Sequence, residues 1–150
     1  MSGIDDKSDR ILRELKCDGR ISNLELAERV GLSPSACLRR VQELERVGVI
    51  RGYRVVLDPV KLGIGFTAYI TVGLSDHSKA SQEAFERAIS RAPEVVECHN
   101  ITGATEYLLR VECADLPSYK RFHTDNLGAL PQVNAITSYV VMGSPKDERA

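Results

Sequence analysis

The chain has 150 residues, enough for one ordinary domain or two small ones. It is 43% apolar and 27% charged, the balance expected of a soluble globular protein, and no apolar run approaches the roughly 20 residues of a membrane span. A formal net charge of −1 excludes the broadly basic character of a strong nucleic-acid binder, so any DNA affinity must rest on a local patch and on avidity.

The charge is unevenly spread. Residues 1–57 carry 11 Lys/Arg against 9 Asp/Glu, and the remainder carries 9 against 12. No signal-peptide pattern opens the chain, and a cytoplasmic location is expected. Residues 1–3 are expected to fray. Asp5 or Asp6 can cap a first helix, with Ile4, Ile11, Leu12 and Leu15 on its apolar side and Gly19 at its end.

The next stretch predicts two helices joined by a tight turn. Ser22 fits an N-cap, Glu25 three residues later completes a capping box, and Ile21 with Leu26 forms a hydrophobic staple. Leu26, Ala27 and Val30 share one face, and Gly31 stops the helix. Two residues on, Ser33 caps again and Pro34 stands at N1, where its missing N–H costs nothing. Two short helices so briefly connected cross steeply. That is the helix-turn-helix, whose second helix enters the DNA major groove.

On that second helix Cys37, Val41 and Leu44 cluster on one side, with Leu38 at the margin. Ser35, Arg39, Gln42 and Arg46 form a stripe on the other, flanked by Ala36 and Arg40, with Ser33 at the cap. Arginine forks pair with guanine edges or phosphates, and Ser and Gln can join them. A solvated surface is the ordinary reading of a charged stripe; the double cap and short turn favour DNA contact. The bundle core expected here is Ile11, Leu12, Leu15, Leu26, Ala27, Val30, Val41 and Leu44. So small a core needs a wing or a partner.

Gly48 ends the third helix. Ile50–Leu57 is β-branched and aromatic enough for a strand, either a wing or an exposed linker strand, with Gly52 as a possible bulge and Arg51 and Arg54 near phosphate. From Phe66 to Leu74 the period is two. Ser78 or Ser81 then opens a helix bearing Phe85, Ala88, Ile89 and Ala92, closed by Pro93. Val95–Ile101 and Glu106–Cys113 read as strands around the turn at Thr102–Thr105. Asp115 and Pro117 start a helix bearing Tyr119, Phe122, Leu127 and Leu130, and Val133–Met142 is a last strand.

The order β-α-β-β-α-β is that of an α+β, ferredoxin-like sandwich with helices on one face only. Its other face, with Thr67, Tyr69, Thr71, Ala135, Tyr139 and Val141, is too apolar to stay wet, so subunits should associate there. The division expected is a DNA-binding domain over 1–49, a linker strand over 50–63, a ligand-binding and oligomerisation domain over 64–143, and a flexible tail over 144–150. Cys17, Cys37, Cys98 and Cys113 are scattered, as are the three histidines, so reduced, mostly buried thiols are expected and no metal site.

Taken together, IDDKSDRIL, LKCDGRISNLELAERVGLSPSACLRRVQELERVGVIRGY, LDPVKLG, ITGATEYLLRV and TSYVVM resemble the Lrp/AsnC family of transcription regulators, over Ile4 to Met142. The resemblance implies a winged helix-turn-helix, a C-terminal domain that binds small molecules, usually amino acids, and dimers that commonly assemble into octamers. It places an effector between dimers, against Gly103, Ala104, Thr105 and Glu106, with the last strand contributing near Thr137 and Ser138. The chemistry is sensible. N–H groups of a glycine turn can hold a carboxylate, and Glu106 can receive the ammonium. Leu116 and Tyr139 could line the side-chain pocket. Glu106 stands where the family more often has Asp, and Gln132 where it commonly has Gly.

Three functions compete: an amino-acid-modulated DNA-binding regulator, an architectural DNA-binding protein without effector, and a metabolic enzyme. No P-loop, no GxGxxG after a strand and no Cys–His nucleophile spacing supports the third. No cofactor is expected beyond a possible amino-acid effector.

Overall fold

A computed structural model of the protein describes residues 5–147. Ile4, the expected fraying of residues 1–3, and residues 148–150 of the tail lie outside it. The chain divides into two compact units, one ending at Val56 and the other beginning at Leu57.

The first unit holds α1 (Asp6–Cys17), α2 (Asn23–Val30) and α3 (Pro34–Arg46). Each begins on a side-chain cap: Asp5 accepts from the Ser8 N–H, Ser22 from Glu25, and Ser33 from Ala36. The box at Ser22 is half formed, because the Glu25 carboxylate pairs with Arg29 at 2.5 Å instead. Gly31 ends α2 in the left-handed region (φ 66°), which a side chain would disfavour. Ile11, Leu26, Ala27, Val30, Cys37 and Leu44 are buried together, with Leu12, Leu15, Ile21, Leu32, Val41 and Ile50 packed around them.

The expected strand over Ile50–Leu57 does not form: residues 51–58 have no regular structure and are exposed. A strand needs a neighbour for its ladder, and this segment has none among the described residues.

Asp5 links α1 to α3. Arg40 Nη1 lies 2.5 Å from Asp5 Oδ2 and 3.2 Å from Ser8 Oγ. The Arg40 guanidinium, helped by the Ser8 N–H, lowers the Asp5 carboxyl from 3.8 to about 2. A depressed carboxyl stabilises the fold above its unfolded value and loses that contribution as pH falls through the folded one. Asp5→Ala should therefore lower the melting temperature of the first unit at pH 7, with the difference from wild type vanishing as pH falls toward 2. Thermal denaturation across that range checks it.

The second unit contains β1 (Phe66–Leu74), α4 (Lys79–Ile89), β2 (Val95–Asn100), β3 (Tyr107–Cys113), α5 (Leu116–Phe122) and β4 (Val133–Val140). The sheet order is β2-β3-β1-β4, antiparallel throughout, as the ferredoxin-like reading requires. Ala68, Ile70, Val72 and Leu74 of β1 and Tyr107, Leu109, Val111 and Cys113 of β3 form the core with Phe85, Ile89, Tyr119, Phe122 and Leu127. Tyr107 packs on Phe85 at 4.5 Å and donates to Glu86 at 2.8 Å; burial, with that bond, pushes its phenol up to about 12.

The helix expected to run on to Leu130 changes pitch after Phe122 into a π-helical turn, His123–Leu127. Phe122 and Leu127 are five residues apart, a spacing that an α-helix would turn off the face. The wider turn lets both be buried. Of the four free thiols, Cys37 and Cys113 are buried, but Cys17 and Cys98 are exposed. Among the described residues no His/Cys/Asp/Glu group could hold a metal ion, and no helix is long and apolar enough to cross a membrane.

Candidate DNA interface and effector turn

The position of α3 is set by short polar ties. Asn23 Nδ2 donates to the Pro34 carbonyl at 2.9 Å, fixing the start of α3 against α2. Lys7 Nζ donates to the Val30 carbonyl at 2.9 Å, tying α1 to the turn. With Cys37 and Leu44 buried, the opposite side of α3 faces outward. Ser35, Arg39, Gln42 and Arg46 are exposed there, Ala36 is half-buried, and Ser33 serves as the cap. Arg39 makes no hydrogen bond or ion pair among the described residues, which leaves its fork available. Arg46 is held by both oxygens of Glu43, at 2.6 and 2.7 Å, an exposed pair that phosphate could replace at small cost.

Arg40, expected beside Arg39 at the DNA interface, also packs toward α1. Its Nη1 bonds Asp5 and Ser8, thirty-five and thirty-two positions earlier in the chain. It secures α3 on α1 rather than standing free beside Arg39.

At one end of the sheet the β2–β3 connection forms an open turn, closed by the Ile101 N–H on the Glu106 carbonyl at 2.8 Å. Gly103 has φ 137°, a conformation that favours glycine. The N–H groups of Gly103, Ala104 and Thr105 have no partner among the described residues. Successive unpaired N–H groups are what an anionic ligand needs.

Glu106 is already engaged. Its Oε2 accepts the Leu74 N–H at 2.7 Å, where the β1–β4 register shifts, and its Oε1 lies 3.0 Å from Nδ1 of His77. The Glu106 side chain is only 16% exposed, whereas His77 is 76% exposed. His77 was not among the residues expected at this turn. The signal available was topological: β1 and β3 run antiparallel, so the end of β1 meets the start of β3.

The remaining expected effector residues do not converge within one chain. Register puts Ser138 opposite buried Ile70, on the helix side, where its hydroxyl bonds that of Tyr119. Thr137 and Tyr139, opposite Thr71 and Tyr69, lie on the helix-free face. Leu116 begins α5, on the helix side, and is exposed. Strand alternation separates neighbours, so Thr137 and Ser138 cannot face one pocket of the same chain.

Fold and site together define a class: a DNA-binding protein in two parts, a helix-turn-helix and a sandwich with an open glycine turn. Comparison with known proteins is specific. Residues 4–51 match the model for a winged helix-turn-helix DNA-binding domain, and residues 67–150 match that for the Lrp/AsnC ligand-binding domain. The chain belongs to the Lrp/AsnC family of transcription regulators. It is 42% identical over 138 residues to the proline dehydrogenase transcriptional activator of Rhizobium radiobacter, covering 92% of this chain and 88% of that one. It is equally identical over 142 residues to the leucine-responsive regulatory protein of Escherichia coli K12, covering 94% and 87%. Among solved structures it matches a Neisseria meningitidis transcriptional regulator in complex with L-methionine at a TM-score of 0.91, with 36% identity over 95% of this chain and 92% of that one.

Proposed function

We propose that this regulator binds double-stranded DNA through α3 and that an α-amino acid held at the Gly103–Glu106 turn modulates the binding. Ser35, Arg39 and Gln42 read base edges, while Arg46 and Arg40 serve phosphate contact and the seating of the helix. The observation that carries the effector reading is the row of unpaired N–H groups from Gly103 to Thr105 beside a carboxylate. A zwitterionic amino acid matches both: carboxylate on the N–H groups, ammonium on Glu106. The L-methionine complex of the meningococcal relative supports this class of ligand. Calorimetry of the full chain against all twenty amino acids tests it. Binding of at least one at millimolar concentration or below is expected, and no binding would leave an architectural, effector-free regulator.

The working unit in this reading is a dimer that assembles further to an octamer, in the cytoplasm and without catalytic activity. Tyr139 is 58% exposed on the helix-free sheet face, and Val55 is 77% exposed in the unpaired segment. Both features fit subunit contact. A second chain also brings surfaces that one chain cannot, which is how Thr137 and Tyr139 could still reach an effector held at another protomer's turn. Light scattering at micromolar concentration should give a dimer mass or a multiple of it. A strictly monomeric mass would contradict this assembly.

A further inference from the structure

The acceptor proposed for the ligand's ammonium is not vacant in the isolated chain. His77 Nδ1 sits 3.0 Å from Glu106 Oε1, while the other oxygen is committed to the Leu74 N–H at 2.7 Å. The two contacts differ in kind. Leu74 is backbone at the end of β1 and cannot leave without breaking the strand. His77 is a mostly exposed side chain and can rotate into water.

The loop that carries His77 is fixed independently of Glu106. Asp76 Oδ1 accepts the Ser78 N–H at 2.6 Å, and its Oδ2 accepts from Ser81 Oγ. Ser78 caps α4, and Gln82 Nε2 donates to the His77 carbonyl at 3.5 Å. Loss of the imidazole contact therefore leaves the loop in place.

Resting on the amino-acid reading of the turn, we infer that His77 is a built-in competitor for Glu106, a latch that the incoming ammonium must displace. Its role is to set the effector concentration at which the regulator responds. A site whose competent state is only part of the population binds with an affinity reduced by that fraction. The ligand trades one donor on Oε1 for another, keeps the Leu74 bond intact, and frees the imidazole.

The test is L-methionine titrated calorimetrically into the full-length wild type, His77→Ala and His77→Asn. Asn keeps a donor near the position of Nδ1. A single hydrogen bond from a mostly exposed side chain is worth little, so His77→Ala is expected to bind about two- to fivefold more tightly, with His77→Asn close to wild type. The His77 imidazole NMR signals should shift when wild type is saturated with methionine. Equal or weaker binding by His77→Ala, with methionine bound by both proteins, overturns the latch and leaves the effector reading standing. If neither wild type nor either variant binds methionine or any other amino acid, the effector reading falls and the latch falls with it.

Discussion

Arg39→Ala is expected to weaken specific DNA binding by about 1–3 kcal/mol at each half-site if Arg39 reads a base. In a two-fold dimer the loss is counted twice, because both recognition helices change. Arg39 has no partner among the described residues and is exposed on α3, so nothing in the fold depends on it. The variant should keep the wild-type melting temperature. Arg40→Ala is the contrasting substitution. It removes the Asp5 and Ser8 contacts that seat α3 on α1, so its DNA defect should come with a lower melting temperature. A gel shift and a thermal melt on the two variants separate reading from seating. Wild-type affinity in Arg39→Ala would remove this side chain from the interface.

The second large effect belongs to Glu106. Glu106→Ala removes the acceptor of the half-buried Leu74 N–H, and an unsatisfied buried donor costs about 1–3 kcal/mol of stability. It should also abolish amino-acid binding, because the ammonium loses its carboxylate. Glu106→Gln distinguishes the two consequences. Its amide oxygen can still accept from Leu74, so stability should recover while ligand affinity stays low. Denaturant unfolding of both variants alongside calorimetry checks this. Methionine binding by Glu106→Ala at wild-type strength would show that the ammonium is held elsewhere.

The helix-turn-helix was legible because its determinants are local. Ser22, Gly31, Ser33 and Pro34 fix where α2 and α3 start and stop, and the buried positions follow the helical period. The sheet was legible for the same reason: alternation in β1 and β3 predicts which residues are buried. What could not be read were partners far apart in sequence. Arg40 finds Asp5 across 35 positions, and Glu106 finds Leu74 across 32. Ile50–Leu57 has the composition of a strand, yet composition does not supply the neighbour a ladder needs. Thr137 and Ser138 were placed on another ground. Strand alternation already puts them on opposite faces, and only the family resemblance set them together at one effector site. Phe122 and Leu127 both reach the core only because the chain changes helical pitch between them, which the pattern alone did not reveal.

The central claim is that an amino acid at the Gly103–Glu106 turn changes the DNA affinity set by α3. Fluorescence anisotropy tests it most directly, using a labelled duplex that the wild-type protein has selected from a random-sequence library. Each titration is run with and without millimolar L-methionine, and repeated with the other amino acids. A coupling of about 1–3 kcal/mol predicts a shift in Kd of roughly 5- to 150-fold for wild type, and none for Glu106→Gln. A wild-type Kd unchanged by all twenty amino acids, or a Glu106→Gln protein that responds as wild type does, would contradict it.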